Sequence, residues 1–164
     1  QLFAPKDLKA GERRPAMIFF HGGSRRQMLL GWHYMYYYRN SYAMNQWLAS
    51  QGYVVLSVNY RSGIGYGMEL REALNHGAAG GSEFRDVMGA GLFMKNRADV
   101  DPSRIGLWGG SYGGYLTAMG LSREREMGTL EQVLVTPIRP LLLLVGKMAP
   151  FVVATANDIK VNTV

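Results

Sequence analysis

Residues 104–115 read Arg-Ile-Gly-Leu-Trp-Gly-Gly-Ser-Tyr-Gly-Gly-Tyr, and this stretch decides the fold. Its serine, Ser111, stands in a Gly-x-Ser-x-Gly turn that directly follows the apolar residues 105–108. A serine at the tip of a strand-to-helix turn needs a strained backbone without bulk on either side, which Gly109 and Gly113 provide. Residues 115–121 then carry apolar side chains at helical spacing. The pattern favours a nucleophile elbow, with Ser111 as the nucleophile, over an ordinary glycine turn.

Two further apolar runs lie upstream and are typical of buried parallel strands. They cover residues 15–20 and 53–58. Residues 42–50 between them have apolar side chains at helical spacing, with Ser41 as a candidate N-cap and Gly52 as the terminating glycine. This order predicts a βαβ unit.

A second unit follows, in which Ser82 is a candidate cap of another helix. Its predicted apolar face consists of Phe84, Val87, Met88, Gly91, Leu92 and Met94. Residues 101–103 then mark the entry to the strand at 105–108. Alternating strands and helices predict a mostly parallel sheet with helices on both faces and functional loops at the carboxyl ends of the strands. Three residues fall at those ends: His21, Asn59 and Ser111.

The composition favours a folded domain. The chain has 164 residues, 48% of them hydrophobic and 18% charged, which suits one domain or a piece of a larger one. The apolar run at 141–145 reads as a buried strand, because a membrane helix needs about 18 apolar residues; no membrane span is predicted. A net charge of +6 arises from scattered arginines, which favours a solvated surface over a nucleic-acid partner.

The cysteine and histidine content of the chain bears on whether it binds a metal, and the start of the sequence bears on its cellular location. The chain has no cysteine and no metal-ligand spacing of histidines or carboxylates, so no metal and no cofactor are predicted. His33 and His76 are interpreted as solvated or locally hydrogen-bonded loop residues. The chain opens with Gln1 and no signal peptide is visible, so a cytoplasmic and a periplasmic or secreted location both stay open.

Two local clusters have competing interpretations. The aromatic residues 34–38 are expected to pack against a neighbouring surface rather than to form a wall of a substrate site. The glycines of 63–67 resemble a phosphate-binding loop only superficially, because no helix clearly opens after them, and nucleotide binding is not favoured.

Four blocks together resemble the catalytic α/β-hydrolase domain of the prolyl oligopeptidase family of serine peptidases, especially its dipeptidyl-peptidase-like and acylaminoacyl-peptidase-like branches. The blocks are residues 20–23, 59–67, 83–87 and 101–115. The likeness covers about residues 14–122, whereas 123–164 diverge. It implies a single partial α/β-hydrolase domain over 1–164, incomplete on its C-terminal side.

The resemblance also implies roles for individual residues. Ser111 matches the nucleophile that forms an acyl-enzyme with a peptide or oligopeptide substrate. The backbone N–H of Tyr112 and the loop of Gly22 and Gly23 match the oxyanion hole. His21, beside that loop, is expected to have a structural or substrate-orienting role rather than to act as the general base.

The chain departs from the family pattern after the elbow. A triad in this fold runs Ser, then Asp or Glu, then His, but no histidine follows Ser111, and residues 147–149 stand where an aspartate is expected. The triad acid and base are therefore expected to lie outside this chain, which would be inactive alone. The resemblance further implies an N-terminal β-propeller in the full-length parent. An esterase or lipase-like hydrolase and a non-catalytic binding module of the same fold remain the alternatives.

Overall fold

Strands and helices alternate along the chain where the apolar runs predict them. The computed structural model describes residues 1–77, 81–126 and 151–154, with side chains described over 1–77 and 81–120. Its strands are β1 (Leu2–Phe3), β2 (Arg14–Phe20), β3 (Val54–Val58), β4 (Val100–Gly110) and β5 (Phe151–Ala154). Its helices are α1 (Tyr36–Ser50), α2 (Met68–Arg71), α3 (Gly81–Lys95) and α4 (Tyr112–Glu126).

The described strands form one sheet in the order β1-β3-β2-β4-β5. Strand β2 runs parallel to both of its neighbours, β3 and β4. The short strands β1 and β5 lie antiparallel beside β3 and β4 respectively. The predicted parallel sheet is thus confirmed at its centre, while the sheet as a whole is mixed.

The central strand β2 is buried on both faces. Ala16, Ile18 and Phe20 belong to one apolar core, which α3 and α4 cover. Met17 and Phe19 belong to a second core on the opposite face, which α1 covers. Side chains that alternate along a strand point to opposite faces, so the continuous apolar run serves both cores. The prediction of helices on both faces is confirmed.

Helix α1 begins earlier than the sequence predicts. Ser41 lies inside the helix, where its hydroxyl donates to the Tyr37 carbonyl at 3.1 Å, so its assignment as the N-cap is wrong. No glycine or proline precedes Ser41 within the helix to end it there. The buried residues Tyr38, Ser41, Asn45 and Ala49 lie on one face of the helix, and Ser41 belongs to that face. Gly52 does end the helix, with a φ of +92° that suits glycine.

Helix α3 lies close to its predicted place, with two corrections. Ser82 lies within its first turn and donates to the Glu83 carboxylate at 3.0 Å, so it is not the predicted cap. Val87 and Met94 are buried as predicted, but Leu92 is half exposed because it projects from the other side of the helix.

Strand β4 is longer than the predicted run and contains a bulge. Arg14 pairs with Val100 and Ala16 with Ile105, so residues 101–104 have no partners of their own on β2. The turn residues predicted at the strand entry form this bulge, and β4 then runs straight to the turn at Ser111.

Two predictions concern residues further along the chain. The buried strand at 141–145 and the loop at 147–149 lie outside the described residues. Within the ranges that are described, no helix is long and apolar enough to cross a membrane.

Candidate active site

Ser111 occupies a single strained position between β4 and α4. Its φ is +55°, a left-handed conformation that costs free energy for any residue with a Cβ. Its side chain is exposed. The strand, turn and helix predicted for residues 105–121 are all present, and the turn presents the hydroxyl at the carboxyl edge of the sheet.

The two glycines that flank the turn are needed because it packs directly on the end of β2. A Cβ built on Gly109 would lie 2.5 Å from the Phe20 carbonyl oxygen. A Cβ on Gly113 would lie 2.6 Å from the His21 carbonyl oxygen and would overlap that of Phe20. Real Cβ atoms do not approach carbonyl oxygens so closely. The glycine spacing therefore reflects close backbone packing as well as conformational freedom at the turn.

The loop after β2 lies against Ser111. A Cβ on Gly22 would be 3.1 Å from the Cβ of Ser111, and Gly23 has a left-handed φ of +60°. Tyr112 is the first residue of α4, so its backbone N–H has no acceptor within the helix. The structure thus brings together the residues assigned to the nucleophile and the oxyanion hole.

A buried tyrosine fixes the orientation of this loop. The Tyr38 hydroxyl donates to the Gly22 carbonyl at 2.6 Å, and Nδ1 of His21 lies 3.2 Å from the same oxygen. The peptide group is planar and trans, so holding the Gly22 carbonyl also fixes the direction of the Gly23 N–H on its opposite side. The sequence does not predict this role of Tyr38, since its contact depends on where α1 begins.

His21 lies inside the protein, with no exposed surface. Its ring stacks on Tyr60 at a centroid distance of 4.2 Å, and the Tyr60 hydroxyl donates to the His21 carbonyl at 2.7 Å. Burial lowers the pKa of His21 to about 4, so the ring is neutral at pH 7. Its Nε2 atom has no hydrogen-bond partner among the described residues. This placement favours the structural role over the substrate-orienting one.

The other two histidines make local hydrogen bonds. His33 is buried rather than solvated; its Nδ1 accepts from the Met35 N–H at 3.0 Å. In the exposed His76, Nδ1 lies 2.7 Å from the Ala73 carbonyl oxygen. Among the residues described, no three His, Asp or Glu side chains converge as a metal site would require.

Glu83 connects the residue that follows Ser111 to two neighbouring loops. Its buried carboxylate accepts hydrogen bonds from Ser62 Oγ at 2.8 Å, from the Gly77 N–H at 2.9 Å and from Tyr112 Oη at 3.2 Å. Burial acts to raise the pKa of Glu83, but hydrogen bonds from the backbone of Gly77 and of Glu83 itself and from the hydroxyls of Ser62 and Ser82 outweigh burial and hold that pKa below its usual value. Burial and the nearby Glu83 carboxylate raise the pKa of Tyr112 to about 12.

A cavity of about 360 Å³ opens beside Ser111. Gly22, Gly23 and Arg26 form one side of it, and residues at the start of α1 form the other.

The tyrosines of the aromatic cluster at 34–38 fall into two groups. Tyr37 and Tyr38 pack in the second core, as expected, and also line the cavity. Tyr34 and Tyr36 are more than 70% exposed, so for these two the expectation of packing is wrong.

A parallel sheet centre, helices on both faces and a serine on a left-handed strand-to-helix turn define an α/β-hydrolase fold. The model of the prolyl oligopeptidase family matches residues 39–127, more than half of the chain. The chain belongs to this family of serine peptidases, in agreement with the resemblance of its sequence blocks.

Curated relatives match over a similar share of the chain. It is 35% identical over 122 residues to dipeptidyl aminopeptidase BIII of Pseudoxanthomonas mexicana, covering 73% of this chain and 16% of the relative. It is 34% identical to acylamino-acid-releasing enzyme 1 of Oryza sativa subsp. japonica, covering 66% of this chain and 13% of the relative. The chain thus spans about a sixth or less of the length of these relatives.

Solved structures support the same fold. Porphyromonas gingivalis dipeptidyl peptidase 4 superposes with a TM-score of 0.60 at 31% identity, over 74% of this chain and 16% of that one. Pyrococcus horikoshii acylaminoacyl peptidase superposes with a TM-score of 0.56 at 31% identity, over 74% of this chain and 18% of that one.

Proposed function

We propose that this chain supplies the nucleophile and the oxyanion hole of a serine peptidase. The observation that carries the proposal is the exposed Ser111 at φ +55°, packed against Gly22 of the loop after β2. The Ser111 oxygen attacks the carbonyl carbon of a peptide bond and its proton passes to a general base. The C–N bond then breaks, the amine leaves with a proton, and water later releases the acyl group and restores the hydroxyl.

The tetrahedral intermediate places negative charge on the former carbonyl oxygen. In the proposed mechanism the N–H groups of Tyr112 and Gly23 donate to that oxygen. Tyr38, through the Gly22 carbonyl, holds one of these donors in place before the substrate arrives. Donors fixed in advance stabilise the developing charge without a reorganisation cost.

The general base and its acid are proposed to come from residues outside this chain. No histidine follows Ser111 in the sequence, and the buried His21 has no exposed surface through which to reach a substrate. Most of the length of the matched relatives lies beyond the matched region. We therefore expect the chain alone to have little activity, and expect its full-length parent to act on peptides or oligopeptides and to carry an N-terminal propeller.

The test is covalent labelling with a fluorophosphonate probe, with the modified residue located by mass spectrometry. The full-length parent should be labelled at Ser111, and its Ser111→Ala variant should not be labelled. The isolated chain should be labelled far more slowly, because it lacks the base. Absence of labelling in the parent would favour a non-catalytic binding module instead.

Substrate assays separate a peptidase from an esterase. The parent should cleave aminoacyl or dipeptidyl anilides, whose leaving group is an amine. Cleavage of p-nitrophenyl esters with no cleavage of either anilide would overturn the peptidase proposal and support an esterase or lipase-like hydrolase.

A further inference from the structure

The cavity that Ser111 lines also has a cation in its lining, Arg26. A Cβ on Gly23 would lie 2.9 Å from Nε of Arg26, just as a Cβ on Gly22 would lie 3.1 Å from the Cβ of Ser111. Gly22 and Gly23 are consecutive residues, so Ser111 and the Arg26 guanidinium each lie against the same short loop. Both side chains line the same cavity of about 360 Å³.

Arg26 differs from the arginines around it in its partners. Arg25 pairs with Glu72, and Arg61 pairs with Asp86. Within the described part of the chain, no carboxylate forms an ion pair with Arg26. Its guanidinium donates instead to the sulfur of Met35 at 2.9 Å. A thioether is a weak acceptor, and a carboxylate would replace it with a stronger, charge-assisted hydrogen bond.

The remaining lining of the cavity suits a ligand that has both an anionic group and an apolar part. Apart from Arg26, its lining contains Met35, Tyr37 and Tyr38 but no carboxylate. An incoming anion would therefore meet one positive charge and no repelling negative charge from the described lining. The aromatic and thioether surfaces would contact the apolar part of the same ligand.

We propose that Arg26 selects peptides that present a carboxylate next to the bond attacked by Ser111. The proposal rests on the function proposed above, because the peptide is bound at the same site. The carboxylate belongs either to an acidic side chain or to a free carboxyl terminus; both offer the same two oxygens to the guanidinium fork.

The test measures peptide binding to the full-length parent that carries Ser111→Ala, so that no turnover is needed. Three probes are compared by calorimetry: a blocked Ala-Ala-Glu-Ala amide, a blocked Ala-Ala-Gln-Ala amide, and acetyl-Ala-Ala-Gln-Ala with a free carboxyl terminus. At least one carboxylate peptide should bind about fivefold more tightly than the neutral peptide. Which one does so identifies the source of the carboxylate. The preference should shrink with added salt.

Two substitutions decide whether Arg26 is responsible. Arg26→Gln should abolish the preference, and Arg26→Lys should retain part of it. The matched control, Arg25→Gln, removes the same charge one residue away and should leave the preference intact. Equal binding of the three peptides, no detectable binding, or a preference that survives Arg26→Gln would overturn the proposal. Labelling of Ser111 by fluorophosphonate tests the proposed function separately, since it needs no peptide carboxylate.

Discussion

At the scale of the residue, the Tyr38 hydroxyl is the contact whose loss should affect the proposed chemistry most selectively. Tyr38→Phe removes the shorter of the two hydrogen bonds to the Gly22 carbonyl and leaves the peptide that carries the Gly23 N–H less firmly held. We expect fluorophosphonate labelling of Ser111 and kcat of the parent to fall about tenfold, with KM little changed, because the lost interaction acts in the transition state.

The matched control for this prediction is Tyr36→Phe. Tyr36 belongs to the same helix turn but is exposed, so its hydroxyl should not matter. Unchanged labelling in Tyr38→Phe, or an equal loss in both variants, would contradict the assignment of Tyr38 as a positioning residue.

The sequence predicts the role of a single residue best when that role is determined by residues near it in the chain. Ser111 is predictable because its conformation is set by glycines within two positions of it. Tyr38 and Arg26 are not, because their contacts with Gly22 and Gly23 depend on the path of the loop after β2 and on the start of α1. The same dependence explains why Ser41 is wrongly predicted as a cap.

At the scale of the element, the packing of α4 on the end of β2 depends on one glycine. Gly113→Ala would place a Cβ against the carbonyl oxygens of Phe20 and His21. Neither backbone group can move without distorting the sheet or the elbow. We expect the free energy of unfolding to fall by about 2 kcal/mol or more, measured by denaturant titration.

Gly89→Ala is the matched control, because Gly89 lies in α3 with nothing within 4 Å of its Cβ position. Alanine there should raise the free energy of unfolding by about 0.5–1 kcal/mol through helix propensity. If Gly113→Ala kept or raised the free energy of unfolding, as Gly89→Ala is expected to do, the close packing of the elbow on β2 would be refuted.

Glu83 connects α3, the loop after β3 and α4 through hydrogen bonds to one buried carboxylate. Glu83→Gln removes the charge that strengthens these bonds, and we expect the free energy of unfolding to fall by about 1.5–3 kcal/mol. Glu69→Gln, at an exposed position in α2, should change it by less than about 0.5 kcal/mol. A double-mutant cycle with Tyr112→Phe should show coupling; additive effects would mean that the Tyr112 contact contributes nothing.

At the scale of the whole molecule, the sequence predicts the centre of the sheet better than its margins. The continuous apolar run of β2 requires burial on two faces, which is enough to predict helices on both sides. The edge strands β1 and β5 span two and four residues, too few for a periodic pattern to be recognised. The bulge at 101–104 is marked by its turn residues, but its pairing depends on β2.

The stability of the whole molecule should depend on pH through the buried ring of His21. Its pKa is about 4 in the folded state, against about 6.5 for an unfolded chain. Between these values the unfolded chain takes up a proton that the folded state excludes, so stability is lost as the pH falls. We expect the free energy of unfolding to drop by about 2–3 kcal/mol between pH 7 and pH 4.5 on account of this group alone.

Carboxylates add their own acid sensitivity, but at lower pH. Hydrogen bonds from Ser103 and Arg104 lower the pKa of Asp101 to about 2, so its contribution is lost only as the pH falls below about 4. A measurement confined to pH 4.5–7 therefore reports on His21 with little contribution from Asp101. His21→Asn keeps a side-chain N–H donor near Gly22 but cannot titrate, and its stability should vary less with pH over that window. An NMR titration that shows the His21 ring protonated at pH 6 in the folded chain, or an unchanged slope in His21→Asn, would mean that the ring is not held neutral by burial.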